Sequence, residues 1–145
     1  MGDPFDLERF VAAQDAHGTY GRVLSELRSG RKTSHWMWFV FPQIAGLGQS
    51  AMSRTYAISS LEEASAYHRH RVLGPRLTEC TGIVTAISDR SAEQIFGITD
   101  GRKLQSSMTL FSRAVPDEPL FGRALDRYFH GTPDSATDTL LALDP

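Results

Sequence analysis

Cysteine is almost absent from this 145-residue chain, and its scarcity excludes two common ways of stabilising a small protein. The single cysteine, Cys80, permits neither an internal disulfide nor a cysteine-based structural zinc site. The spacing of the histidines does not predict a metal site either. His68 and His70 are too close in sequence to share one helix face, and the chain has no His-x-x-x-His or Glu-x-x-His pair. We therefore expect no metal site and no cofactor.

Long hydrophobic runs and a strong net charge are also missing. The longest wholly apolar run, Trp36 to Phe41, is far shorter than the ~20 residues that a membrane-spanning helix needs. The 15 basic and 17 acidic residues give a net charge of -2, so nucleic acid is not an expected partner despite the local cluster of Arg28, Arg31 and Lys32. Residues 1–6 are acidic and do not resemble a signal peptide. We expect a cytoplasmic protein that does not bind membranes.

The composition and the helix signals are typical of one folded helical domain. Hydrophobic residues make up 41% of the chain and charged residues 22%, as in ordinary globular proteins, and the length suits a single core. Ser60 with Glu63 and Ser91 with Gln94 form capping boxes that start two helices. No convincing pair of strands is present. We predict an all-α domain over residues 1–145, with seven to nine short helices around an irregular aromatic segment.

That irregular segment is Ser34 to Gly48, which contains both tryptophans of the chain. Stretches of this length without regular structure are uncommon in compact domains and are often functional. In one interpretation the segment is a core plug, in which polar side chains such as His35 and Gln43 satisfy the indole donors of Trp36 and Trp38. In the other it is a pocket wall, where the indoles stack on a planar ligand that His35 and Gln43 orient. The sequence leaves both open.

Two further stretches offer polar groups to such a pocket. Arg54 and Tyr56 follow the glycines of the aromatic segment, and an arginine there can hold an anionic group in a bidentate manner. Lys103, Ser106 and Ser107 lie at the start of a predicted helix, although serines in helices commonly bond the carbonyls of the preceding turn. The candidate ligand-binding residues are His35, Trp36, Trp38, Gln43, Arg54, Tyr56, Lys103, Ser106 and Ser107.

Several segments resemble the domain of unknown function 1810 family, a group of small bacterial and fungal proteins. The most specific are residues 34–43 (SHWMWFVFPQ) and 103–111 (KLQSSMTLF), and the resemblance covers nearly the whole chain. It implies a mainly helical fold, no established activity and no agreed catalytic residues. The chain departs from the family at Gly101, where Leu or a similar residue is usual, and this glycine predicts a loosened helix start beside Asp100.

Members of this family are often labelled calpastatin-like, and the physical properties of the chain argue against that label. Calpastatin-type inhibitors are disordered chains that fold only on their protease. Aromatic residues make up 10% of this chain, and its capped helices indicate a folded core instead.

Our leading hypothesis is a protein that binds a small polar, partly planar ligand, with nucleotide-like molecules as one class, where segments 34–56 and 100–111 meet. One alternative is a protein-interaction module without a small-molecule site. Another is a metal-independent hydrolase or transferase, with His35 or Asp100 as the acid or base. The sequence indicates neither the ligand nor the oligomeric state.

Overall fold

The computed structural model describes residues 2–142, and helices joined by turns and one long loop account for most of them. The elements are α1 (Glu8–Asp15), a 3₁₀ turn (Ala16–Gly18), α2 (Thr19–Arg28), α3 (Met37–Val40), α4 (Ala51–Thr55), α5 (Leu61–Arg69), α6 (Leu73–Ala86), α7 (Ala92–Ala114), α8 (Leu120–Phe129) and α9 (Ser135–Ala142). Over this range the extended pairing is limited to one isolated parallel bridge between Ile44 and Ile58. The predicted all-α, compact single domain is confirmed.

The long helix α7 forms the centre of the fold and packs against α5, α8 and α9. Leu104, Met108 and Phe111 repeat at helical spacing on α7, and all three are fully buried. The Phe111 ring lies 5.4 Å from Tyr67 of α5 and 5.6 Å from Phe121 of α8, measured between ring centroids. These aromatic contacts join three helices through one side chain. Among residues 2–142, no helix is both long and apolar enough to cross a membrane.

Of the two predicted capping boxes, one is complete and the other forms only one of its two hydrogen bonds. Ser91 begins α7 with both bonds in place, since its hydroxyl accepts from the Gln94 amide while the Gln94 side chain accepts from the Ser91 amide. Ser60 caps α5 by accepting from the Glu63 amide at 3.1 Å, but the return bond is absent. The Glu63 carboxylate instead accepts from the amide and hydroxyl of Ser59, at 2.9 and 2.8 Å.

The expected loosening at Gly101 is wrong. Gly101 is buried within α7, and the helix continues through it without a break. The departure from helical geometry lies at Gly97 instead, where φ is 83° and ψ is 172°. Positive φ costs glycine little, because it has no Cβ atom, so Gly97 can turn the backbone between the capped first turn and the rest of α7.

Glu26 on α2 holds the start of the aromatic segment. Its carboxylate accepts hydrogen bonds from the amides of Thr33 and Ser34 at 2.7 and 3.0 Å, from the Ser34 hydroxyl, and from the Trp36 indole Nε1 at 3.0 Å. Partial burial alone would raise the pKa of Glu26, but these donors favour the ionised form and lower the pKa to about 2. One carboxylate therefore orders residues 33–36, which have no helix of their own.

We predict that Glu26→Gln lowers the free energy of unfolding at pH 7 by about 1–3 kcal/mol, because charge-assisted hydrogen bonds are lost. The Glu26 pKa is depressed in the folded state, so its contribution is complete above the unfolded value near 4.5 and disappears as the pH falls through about 2. The stability gap between wild type and Glu26→Gln should therefore close between these pH values. Urea unfolding of both proteins at several pH values measures this, and a gap independent of pH would contradict the assignment.

Candidate functional site

A cavity of about 160 Å³ opens between the loop that follows α3 and the short helix α4. Its lining comes from Trp38 on α3, from loop residues 43–46 and Gly48, and from Ser53, Arg54, Tyr56 and Ala57. Four of the nine candidate residues therefore meet around one cavity, namely Trp38, Gln43, Arg54 and Tyr56. The other five are placed elsewhere.

The two sides of the cavity are joined by backbone hydrogen bonds at Ile58. The Ile58 amide donates to the Gln43 carbonyl, and the Ala45 amide donates to the Ile58 carbonyl, both at 2.8 Å. At Gly48 the two sides also approach closely, since a Cβ atom there would lie 2.3 Å from the Cβ atom of Ser53. Only glycine fits this contact without a shift. The width of the cavity is therefore set by backbone geometry as well as by side chains.

Arg9 supports the residues at the end of α4 that form one side of the cavity. Its guanidinium donates to the carbonyls of Thr55 and Ala57, both at 2.8 Å, and to the Glu63 carboxylate at 2.9 Å. It also donates to the carbonyls of Phe5 and Asp6 in its own N-terminal turn. Arginine presents five donors in a rigid planar fork, so this one side chain can tie together α1, α5 and the turn after α4.

The polar side chains on the cavity wall have unused hydrogen-bonding capacity. The Trp38 indole Nε1 is buried, and no group within residues 2–142 accepts its hydrogen bond. Gln43 and Tyr56 also line the cavity, and over the same residues neither has a buried, unsatisfied side-chain atom. Arg54 uses one donor, Nη2, on the Gln49 carbonyl at 2.5 Å. Because buried donors in proteins are nearly always bonded, the Trp38 nitrogen is an exception that needs an explanation.

The two tryptophans have different roles. Trp36 is 1% exposed, and its indole donates to Glu26, not to His35 or Gln43 as the core-plug interpretation expected. His35 is exposed and does not line the cavity. Trp36 therefore belongs to the core, whereas Trp38, two residues later, lines the cavity.

Lys103 contacts Trp38 from outside the cavity lining. Its Nζ lies 5.0 Å from the centre of the Trp38 ring system and 3.6 Å from the Asp100 carboxylate. Asp100 also pairs with Lys32 at 2.7 Å, and the Lys32 ammonium lies 5.0 Å from the ring centre of Trp36. Two lysines thus share one carboxylate, and each places its charge over one tryptophan, which is a favourable cation–π arrangement.

The two candidate serines of α7 do not line the cavity. The Ser106 hydroxyl donates to the Arg102 carbonyl at 3.1 Å, as serines in helices commonly do, and lies 3.2 Å from the Asp134 carboxylate. Ser107 is fully buried, and its Oγ has no partner within the described residues. Ser106 therefore has a structural role in joining α7 to the residues before α9.

Neither a metal centre nor a cysteine nucleophile is indicated. Within residues 2–142 no three His, Cys, Asp or Glu side chains lie together in a way that could hold a metal ion. Burial raises the pKa of the Cys80 thiol to about 12, and its sulfur lies 3.7 Å from the Tyr20 hydroxyl. A thiol with that pKa stays protonated at neutral pH and is a poor nucleophile.

Sequence reasoning did not identify Arg9 and Glu26, although both shape the surroundings of the site. Glu26 precedes the buried Leu27, and Arg9 precedes the buried Phe10, so each lies at the edge of an apolar helix stripe. Charged residues flank the apolar stripe of most amphipathic helices, so this position alone did not single out Arg9 or Glu26. Their partners lie on other segments of the chain and could not be named from the sequence.

Comparison with known proteins places the chain in a family but assigns no activity. Residues 4–141 match the family described as protein of unknown function (DUF1810). The chain belongs to this family. The crystal structure of the conserved hypothetical protein Rv1873 from Mycobacterium tuberculosis is similar to the whole DUF1810 chain, with 56% sequence identity and a TM-score of 0.93. The alignment covers 97% of this chain and 99% of that one. No curated protein matches this DUF1810 chain.

We predict that Arg9→Lys lowers the free energy of unfolding by about 1–3 kcal/mol, because an ammonium cannot reproduce the planar fork of hydrogen bonds. Arg71→Lys is the matched control, since Arg71 is exposed and should change stability by no more than about 0.5 kcal/mol. Urea unfolding compares the two variants with wild type. Equal stability of both variants would show that Arg9 does not hold the cavity wall.

Proposed function

We propose that this protein binds a small, polar, planar ligand in the cavity between Trp38 and Arg54. The observation that carries the proposal is the polar lining of this cavity. The Trp38 ring, the Gln43 amide, the Tyr56 hydroxyl and the Arg54 guanidinium belong to residues that line this one cavity. An aromatic surface with a few convergent polar groups is the usual composition of a small-molecule site.

The size of the cavity limits the ligand. An engineered protein cavity of about 150 Å³ accommodates benzene, whereas pockets for drug-sized ligands reach about 300–1,000 Å³. A volume of about 160 Å³ therefore suits one ring rather than a whole nucleotide. If the ligand is nucleotide-like, we propose that only its base or another single ring enters the cavity.

Binding is better supported than catalysis. Neither acid–base candidate is well positioned for a reaction at the cavity, because His35 is exposed outside the lining and Asp100 is held by Lys32 and Lys103. Lys103 would have to leave Asp100 before it could hold an anionic ligand. Its contact with Trp38 fits a supporting role for the cavity wall instead.

The interaction-module alternative has one observation in its favour. Ile98, just after the turn at Gly97, is 60% exposed, and beside it lies a more open cavity of about 220 Å³ that includes Phe129. A single exposed apolar side chain is normal on a globular protein, so it supports a docking surface only weakly.

The two indole N–H groups allow a direct test by ¹H–¹⁵N NMR. We expect single-ring polar fragments to shift the Trp38 indole signal and to leave the Trp36 signal, which is fixed by Glu26, nearly unchanged. Ala57→Leu should abolish the shift, because the larger side chain fills the cavity that Ala57 lines. Ala12→Leu is the matched control, since Ala12 is exposed on α1, and it should leave binding unchanged.

Two results would contradict the proposal. In the first, a broad set of single-ring fragments leaves the Trp38 signal unmoved although the wild-type spectrum is that of a folded protein. In the second, Ala57→Leu is folded and binds the same fragments as Ala12→Leu, which would place the binding elsewhere on the surface.

A further inference from the structure

We infer that the ligand is an anionic single-ring compound, such as a monocyclic aromatic carboxylate, whose ring enters the cavity and whose carboxylate meets Arg54 at the mouth. This inference rests on the proposed function and adds the charge of the ligand to it.

The charged side chain of the cavity lining is a cation. Arg54 contributes to the lining, and no aspartate or glutamate does so within the described residues. Lys103 adds a second positive charge 5.0 Å from the ring centre of Trp38, partly offset by Asp100, which is shared with Lys32. Lys32 lies over Trp36, whose indole is bonded to the Glu26 carboxylate, so these two lysines are balanced by Asp100 and Glu26. The net positive charge at the cavity therefore comes from Arg54, which repels a cationic ligand and attracts an anionic one.

The hydrogen-bonding groups of the wall point to the same class of ligand. The Arg54 guanidinium is a donor only, so its partner must be an acceptor. Gln43 and Tyr56 can each donate or accept a hydrogen bond, so both are compatible with a ligand that carries only acceptors. A carboxylate carries acceptors and no donor, whereas an ammonium carries donors and no acceptor.

Arg54 is exposed, but its guanidinium is partly fixed in place. One nitrogen, Nη2, donates to the Gln49 carbonyl at 2.5 Å, which holds the side chain across the turn that starts α4. Its other donors make no hydrogen bond to residues 2–142, so within the described part of the chain they are available to a ligand. A fixed guanidinium binds a carboxylate through paired, charge-assisted hydrogen bonds, and it loses less conformational entropy than a free side chain would.

Three probes of nearly the same size separate the charge of the ligand from its ring: benzoate, benzamide and benzylamine. At neutral pH we expect benzoate to shift the Trp38 indole signal at concentrations about tenfold lower than benzamide requires, as fits a charge-assisted contact. Benzylamine should bind more weakly than either. Arg54→Gln should weaken benzoate binding about tenfold and leave benzamide binding within about twofold. Arg71→Gln, at an exposed arginine, is the control and should bind all three probes as wild type does.

The possible results separate this inference from the proposed function. If benzamide or benzylamine binds as tightly as benzoate, the inferred charge of the ligand is wrong and the cavity remains a binding site for rings. If benzoate binds best but Arg54→Gln binds it unchanged, Arg54 is not the carboxylate partner and the inference fails. If none of the three probes moves the Trp38 signal of the folded protein, the ring-binding site itself is contradicted and both proposals fall.

Discussion

The structure around the cavity depends on the hydrogen bonds that the Arg9 guanidinium donates. Thr55 is the last residue of α4 and Ala57 follows it in a loop, so their carbonyls need donors from elsewhere in the fold. Arg9 supplies these donors and remains paired with Glu63, whose carboxylate also organises the start of α5. Glu63 is buried and Arg9 partly buried, and a charge removed from water is costly unless it is paired and hydrogen-bonded, as both of these are. Arg9 thereby fixes the end of α4 and the residues that follow it, the segment that carries Arg54 and Tyr56.

Glu26 has the corresponding role on the other side of the aromatic segment. It orders residues 33–36 and satisfies the Trp36 indole, so that Trp36 becomes part of the core. Because Trp36 and Trp38 are two residues apart at the start of a helical turn, their side chains point to different sides. One indole therefore fills the core while the other lines the cavity. Trp36 is buried as the core-plug interpretation expected, with Glu26 as its partner, and ligand binding beside Trp38 stays a proposal.

The sequence predicts features whose partners are close along the chain. The Ser91 cap of α7 depends on a residue three positions away, and the apolar spacing of Leu104, Met108 and Phe111 is visible directly. The cavity is different, because it depends on contacts between distant segments. Arg9 reaches residues 46 to 54 positions further on, and no local pattern connects them. Arg54 and Tyr56 were identifiable as candidates, but their separation from His35 and Ser107 required the folded chain.

We propose that these contacts hold a cavity of fixed shape between Trp38 and Arg54 and that a single ring binds in it. A crystal structure of the protein grown with benzoate tests this proposal. We predict a benzoate ring between Trp38 and Ala57, its carboxylate within hydrogen-bonding distance of Arg54, and the Ile58 bonds to Gln43 and Ala45 unchanged. A structure in which benzoate lies outside the cavity, or in which the cavity is closed by its own side chains, would contradict the account.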